Sequence, residues 1–169
     1  ILAFFIFISI ISLASFKDFG ISADEQYQRD HLLVNSKSIY KRLGITKWAP
    51  ESVKKAIDIK DYPHKYYGVA IQYPLVLLEY FPESLNPNEP TFWYLRHLYT
   101  RVLFVIAGIF FYLIIKRITT SKEIAFITLL LFFFHPRIAA HSYYNIKDSV
   151  FLSLMTISTW FMIRFFEEG

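Results

Sequence analysis

Two groups of residues have the types and spacings from which chemistry is built. Asp24 and Glu25 follow closely on an apolar run. Arg137, His141, Asn145, Lys147 and Asp148 share one short loop between two further apolar runs. Ionisable groups this close to hydrocarbon are costly and usually face a cavity or a partner. A carboxylate in such a place could orient and partly deprotonate a hydroxyl, or ligate a divalent cation such as Mg or Mn. Arg137 and Lys147 suit a phosphate or pyrophosphate, the guanidinium as a fork and the ammonium as a point charge.

Asp24 and Glu25 cannot work as a dyad, because helix neighbours point to different faces. Ser22-Ala23-Asp24-Glu25 fits a capping box, which already gives Glu25 a structural task. Asp24 sits in the first turn, where the helix dipole favours its ionised form. The plainer reading is a capping and dipole role with no chemistry. For the loop between residues 135 and 148 the plainer reading is a snorkelling segment, with Arg137 and Lys147 on lipid headgroups. His135 and His141 have a spacing that fits no usual zinc pair. Arg101 is placed inside an apolar run. It pairs with a carboxylate, binds an anionic lipid group, or anchors to headgroups.

The elements that must position these residues are read from hydropathy. Of 169 residues, 54% are apolar and 20% aromatic, and there is no cysteine, so disulfide frameworks and thiolate metal sites are excluded. No Gly-rich phosphate loop, Ser/His/Asp pattern or repeat is present, and nothing suggests nucleic acid. Residues 1–16 read as the exit half of a first membrane helix, truncated at its start, since a span needs roughly 20 apolar residues. Both chain ends read as cuts in a longer protein. Residues 17–97 read as a long loop. It holds a helix from Ser22 to about Leu43, stopped by Gly44, and a short helix at 51–57. An interfacial segment broken by Pro74 spans 66–81, and Pro82, Pro87 and Pro90 mark an irregular stretch. Residues 98–169 read as spans two to four: 98–115, a short run at 124–134 interrupted by His135-Pro136, and 150–166. The expected class is all-α, a polytopic membrane protein with about four transmembrane helices and amphipathic interfacial helices in the long loop.

Lys116, Arg117 and Lys122 mark the turn between spans two and three as cytoplasmic. The long loop and the 135–147 loop then share the outer face, bringing both polar groups to one side.

This order of features resembles the C-type (GT-C) glycosyltransferase superfamily, in its protein O-mannosyltransferase and aminoarabinose-transferase-like branch. Asp24-Glu25 stands where that branch has its Asp-Glu pair. Tyr66-Tyr67-Gly68 and Tyr73-Pro74-Leu75 resemble its loop motif, often His-Pro-Pro-Leu, with the His absent here. Arg137 through Asp148 resembles the segment ending in an Asp at the head of the fourth span. The resemblance implies transfer of one sugar from a polyprenyl-phosphate donor to a protein or lipid-glycan acceptor. The reaction would run at the outer face of a bacterial inner membrane, amid membrane lipids. It implies Asp24, beside Glu25, as the base, and Asp148 as a second acidic group near the site, and leaves open a metal held by Asp24 and Asp148. Arg137, His141 and Lys147, with Arg101, are the expected ligands of the donor phosphate. The truncated chain is expected to be inactive alone. The competing readings are a transporter or channel subunit, which predicts mid-span charges and paired broken helices, and a non-catalytic scaffold.

Overall fold

The computed structural model describes residues 1–81 and 85–168, and there the chain is helical, with no strand. It forms two compact units, Ile1–Gly20 with Tyr94–Gly169, and Ile21–Trp93.

The first unit holds α1 (Leu2–Ser15) and most of α4 (Pro90–Thr119). It also holds α5 (Lys122–Phe134), α6 (Pro136–Tyr144) and α7 (Asp148–Glu168). α4 and α7 are long and apolar enough to cross a membrane, and α5 with α6 qualifies as a pair bent by 61°. Two or three candidate spans therefore stand where four were read from the apolar runs. α1 has only 14 residues, and the third run breaks at a proline. Pro136 has no N–H to donate, and its ring forces the preceding residue out of the helical region. His135 accordingly has ψ 117, so one helix ends there and another begins.

Phe104 packs between the apolar faces of the unit, stacked on Phe132 at 4.7 Å, and Phe111 covers Phe132 at 4.5 Å. Such pairs add about 0.5–1.5 kcal/mol each beyond the area they bury. Ile8, Leu129 and Phe133 complete this buried cluster. Gly108 makes the packing feasible, because a Cβ there would fall 2.5 Å from the Phe133 ring. α7 leaves Phe151, Met155, Phe161 and Met162 more than half exposed, a surface suited to lipid.

The second unit is built on α2 (Ala23–Arg42), with α3 (Glu51–Lys55) and a 3₁₀ stretch over Ala70–Tyr80. α2 begins with the expected capping box and ends with Gly44 at φ 68. Pro74 explains the 3₁₀ winding, since an α-helix would lose a hydrogen bond and clash there. Leu32, Val34, Val53, Val69, Leu75 and Val76 form the buried interior. The expected break at Pro82 lies outside the described residues. Pro90 opens α4, as suits a first helical position, so that helix starts well before Leu98.

An ion pair that hydropathy gives no sign of holds this unit together. Arg29 donates through Nε and one Nη to the two oxygens of Glu79, both at 2.7 Å. The Glu79 side chain is 2% exposed, and the guanidinium also lies 5.4 Å over the Phe92 ring. Nearby, Asp58 receives Lys41 at 2.8 Å and lies near Lys37 at 3.2 Å. Hydrogen bonding to these ammonium groups holds its carboxyl below the usual range. The Tyr40 hydroxyl meets that of Tyr80 at 2.6 Å. Burial, and then that contact, push Tyr40 up to about 12.

Candidate functional site

A cavity of about 210 Å³ opens in the first unit, lined by Arg137, Ile138, His141, Asp148, Ser149 and Leu152. The break at Pro136 creates it. α6 leaves α5 at an angle, and α7 returns against α6. Three of the residues singled out from sequence, Arg137, His141 and Asp148, therefore share one cavity, with two apolar side chains beside them.

Asn145 organises the polar wall. Its Oδ1 accepts the backbone N–H groups of Asp148 at 2.9 Å and Lys147 at 3.2 Å. Those two donors fix which amide atom is the oxygen. Nδ2 then has two N–H groups to give. One goes to Asp148 Oδ2 at 3.0 Å and the other to His141 Nδ1 at 3.1 Å. His141 Nδ1 is thus an acceptor, so the neutral ring carries its proton on Nε2. Ser149 Oγ donates to the His141 carbonyl at 2.8 Å and pins the two helices together. Arg137 is exposed and has no ion pair or hydrogen bond among the described residues. Lys147 is exposed and lies outside the lining.

Arg101 lies elsewhere in the same unit. It is 4% exposed. Its Nε donates to Ser12 Oγ at 2.9 Å and an Nη to Ser142 Oγ at 2.5 Å. The guanidinium lies 4.6 Å from the Tyr143 ring centre, with Phe104 and Phe133 at 5.4 and 5.6 Å. Tyr143 in turn shares a 2.8 Å hydrogen bond with Ser15 and stacks on Phe19 at 4.0 Å. Every partner is neutral. The charge joins α1, α4 and α6 from inside the packing and does not line the cavity.

Asp24 and Glu25 belong to the second unit, at the N-terminus of α2. Glu25 is 2% exposed, and its Oε1 accepts the Ser22 N–H at 2.6 Å. Asp24 is exposed, with its carboxylate projecting from the first turn and only its N–H engaged, by Ser22 Oγ at 3.4 Å. Among the described residues no three His, Asp or Glu side chains come together as a metal would require. Asn145 was visible in the sequence as one of the polar group. Its part as the link between His141 and Asp148 was not, because that depends on the turn between α6 and α7.

Helices long and apolar enough to cross a membrane mark an integral membrane protein, and its cavity sets two apolar side chains beside Arg137, His141 and Asp148. A family model for dolichyl-phosphate-mannose-protein mannosyltransferase matches residues 70–169. The chain belongs to that family, a GT-C family of glycosyltransferases that use a polyprenyl-phosphate-linked sugar donor. No curated protein and no solved structure gives a match. Arg101, Arg137, His141, Lys147 and Asp148 fall within the matched residues, whereas Asp24 and Glu25 precede them.

Proposed function

We propose that the protein moves one sugar from a polyprenyl phosphate to a hydroxyl of a protein acceptor, at the outer face of a cell membrane. The observation that carries this is the cavity itself. Ile138 and Leu152 suit a prenyl chain, and the Arg137 guanidinium and the His141 Nε2–H suit its phosphate. The positive turn at Lys116, Arg117 and Lys122 supports the placement of the cavity on the other side of the membrane.

In this scheme the acceptor hydroxyl gives its proton to the Asp24 carboxylate as its oxygen bonds to the anomeric carbon. The bond from that carbon to the phosphate oxygen breaks, and the lipid phosphate leaves with the electron pair. Charge grows on the leaving phosphate, so donors already aimed at it stabilise the transition state more than the ground state. Arg137 supplies the fixed positive charge. Asp148, through Asn145, holds His141 in the tautomer that donates from Nε2. Glu25 keeps its capping task, leaving Asp24 as the available carboxylate of the pair. Arg101 positions α6, and with it Arg137 and His141. A divalent cation such as Mg or Mn would need further ligands beside Asp148 and His141, and among the described residues no third His, Asp or Glu joins them.

The test uses the full-length protein in membranes, with radiolabelled polyprenyl-phosphate sugars. Asp24→Asn should abolish transfer at normal expression. Arg137→Ala should raise the donor KM about 10-fold, the loss of one hydrogen bond to a charged group. Full transfer by Asp24→Asn would remove Asp24 as the base. An unchanged donor KM in Arg137→Ala would remove the cavity as the phosphate site. No transfer by the wild type across a panel of donors would favour a scaffold.

A further inference from the structure

The end of α2 carries an apolar tip that no part of the proposed reaction uses. The helix closes in a Schellman turn, with the Ile45 N–H donating to the Tyr40 carbonyl at 3.0 Å and the Gly44 N–H to that of Lys41 at 3.1 Å. A 3₁₀ turn over Thr46–Trp48 follows at once. These bonds hold Leu43, Ile45 and Trp48 outward, 64%, 38% and 66% exposed. Charge is concentrated in the same place. Between residues 41 and 55 five cations, Lys41, Arg42, Lys47, Lys54 and Lys55, face one carboxylate, Glu51. That surplus of four equals the formal charge of the entire chain, +4, so the rest is neutral overall. Lys41 is taken by Asp58 and Lys54 by Glu51. Arg42 and Lys47 have no ion pair among the described residues, and the Lys47 ammonium lies 5.3 Å over the Trp48 ring.

We propose that this tip is a surface anchor for an anionic bilayer. Leu43, Ile45 and Trp48 enter the headgroup region, while Arg42 and Lys47 meet lipid phosphates. Indole rings favour that depth because one edge is polar and the body apolar. Long cationic side chains there lie along apolar surface and keep their charge in water. A basic cluster is drawn to anionic lipid by its charge. The chain leaves this unit directly into α4, a helix fit to span a membrane. A bilayer is therefore tethered to the same chain, and tethering lets a weak patch bind that would not hold as a separate molecule. A protein partner or a second copy fits less well, since the centres of protein interfaces are depleted in Lys.

These 169 residues hold no cysteine, so a spin label can be placed by Ile45→Cys and, separately, by Leu43→Cys in the full-length protein, with any cysteine elsewhere replaced by Ser. Reconstitution would use vesicles of phosphatidylcholine alone and vesicles with added phosphatidylglycerol. Collision rates with oxygen and with a water-soluble nickel chelate report the label's depth. In the mixed vesicles both labels should favour oxygen. Arg42→Gln and Lys47→Gln should each lower the inserted fraction relative to the free fraction by about 5-fold. Labels open to the nickel chelate in both kinds of vesicle would overturn the proposal. So would labels shielded in both and indifferent to the charge substitutions, which would assign the patch to a protein. Agreement of the two positions guards against a single misfolded variant.

Discussion

An Arg101 Nη donates to Ser142 Oγ at 2.5 Å across 41 residues of sequence, and this bond ties the span α4 to the short helix that carries Arg137 and His141. Arg101→Lys keeps the charge and loses the fork. A shift of α6 by an ångström should lower kcat on the order of 100-fold and, by displacing Arg137 and His141, raise the donor KM as well. Ser142→Ala should act in the same direction more weakly, with a stability loss of about 1.5–3 kcal/mol. Steady-state kinetics on both variants checks this. A raised donor KM at constant kcat would make Arg101 a ligand of the donor instead.

The two neighbours at the start of α2 should part company under mutation. Glu25→Ala removes the reciprocal half of the capping box and should cost about 1 kcal/mol of stability. Transfer should survive to the extent that folded protein survives. Asp24→Asn should melt near the wild-type temperature and transfer nothing. Thermal melts paired with transfer assays separate the cases, and the reverse pattern would exchange the two roles.

The second unit should depend heavily on Glu79. Glu79→Gln leaves the Arg29 guanidinium, whose side chain is only 12% exposed, without its counter-charge, and stranding one partner of a buried pair typically costs about 3–5 kcal/mol. Limited proteolysis between residues 21 and 93 should accelerate accordingly. A loss below about 1 kcal/mol would mean that water reaches the pair, as at an exposed site.

Tyr40 gives the unit an alkaline limit. Its hydroxyl is pushed up from 10.0 to about 12 by burial and by Tyr80. The neutral form is therefore favoured in the folded state. The associated stability is complete below pH 10 and is lost as pH rises toward about 12. Difference titration of phenolate absorbance between wild type and Tyr40→Phe should show one late-titrating group. A phenol that ionises at its ordinary value would contradict the contact with Tyr80.

What the sequence disclosed depended on range. The Ser22 capping box, the Gly44 stop and the break at His135-Pro136 are local rules of backbone geometry, and all three appear where they were read. Arg101 was conspicuous as a charge in an apolar run, yet its partners Ser12 and Ser142 lie far off in the chain and are individually unremarkable. The Arg29–Glu79 pair was invisible for the same reason, since each residue alone resembles a solvated charge. The number of spans is less legible, because α1 is short and the third apolar run bends at Pro136, so two or three helices meet the length of a span where about four were read. Asn145 could be seen as polar, but its two fixed acceptor contacts arise only once the α6–α7 turn has formed.

The cavity's lining runs without long interruption from Arg137 to Leu152. Its shape needs one kink, one Asn-centred turn and two adjoining helix ends, all of low contact order. Segments of that kind assemble quickly and without waiting for distant chain. During synthesis the turn between α6 and α7 can take its form from neighbouring residues alone. Arg101 and Ser12, already made by then, provide the seat onto which it settles.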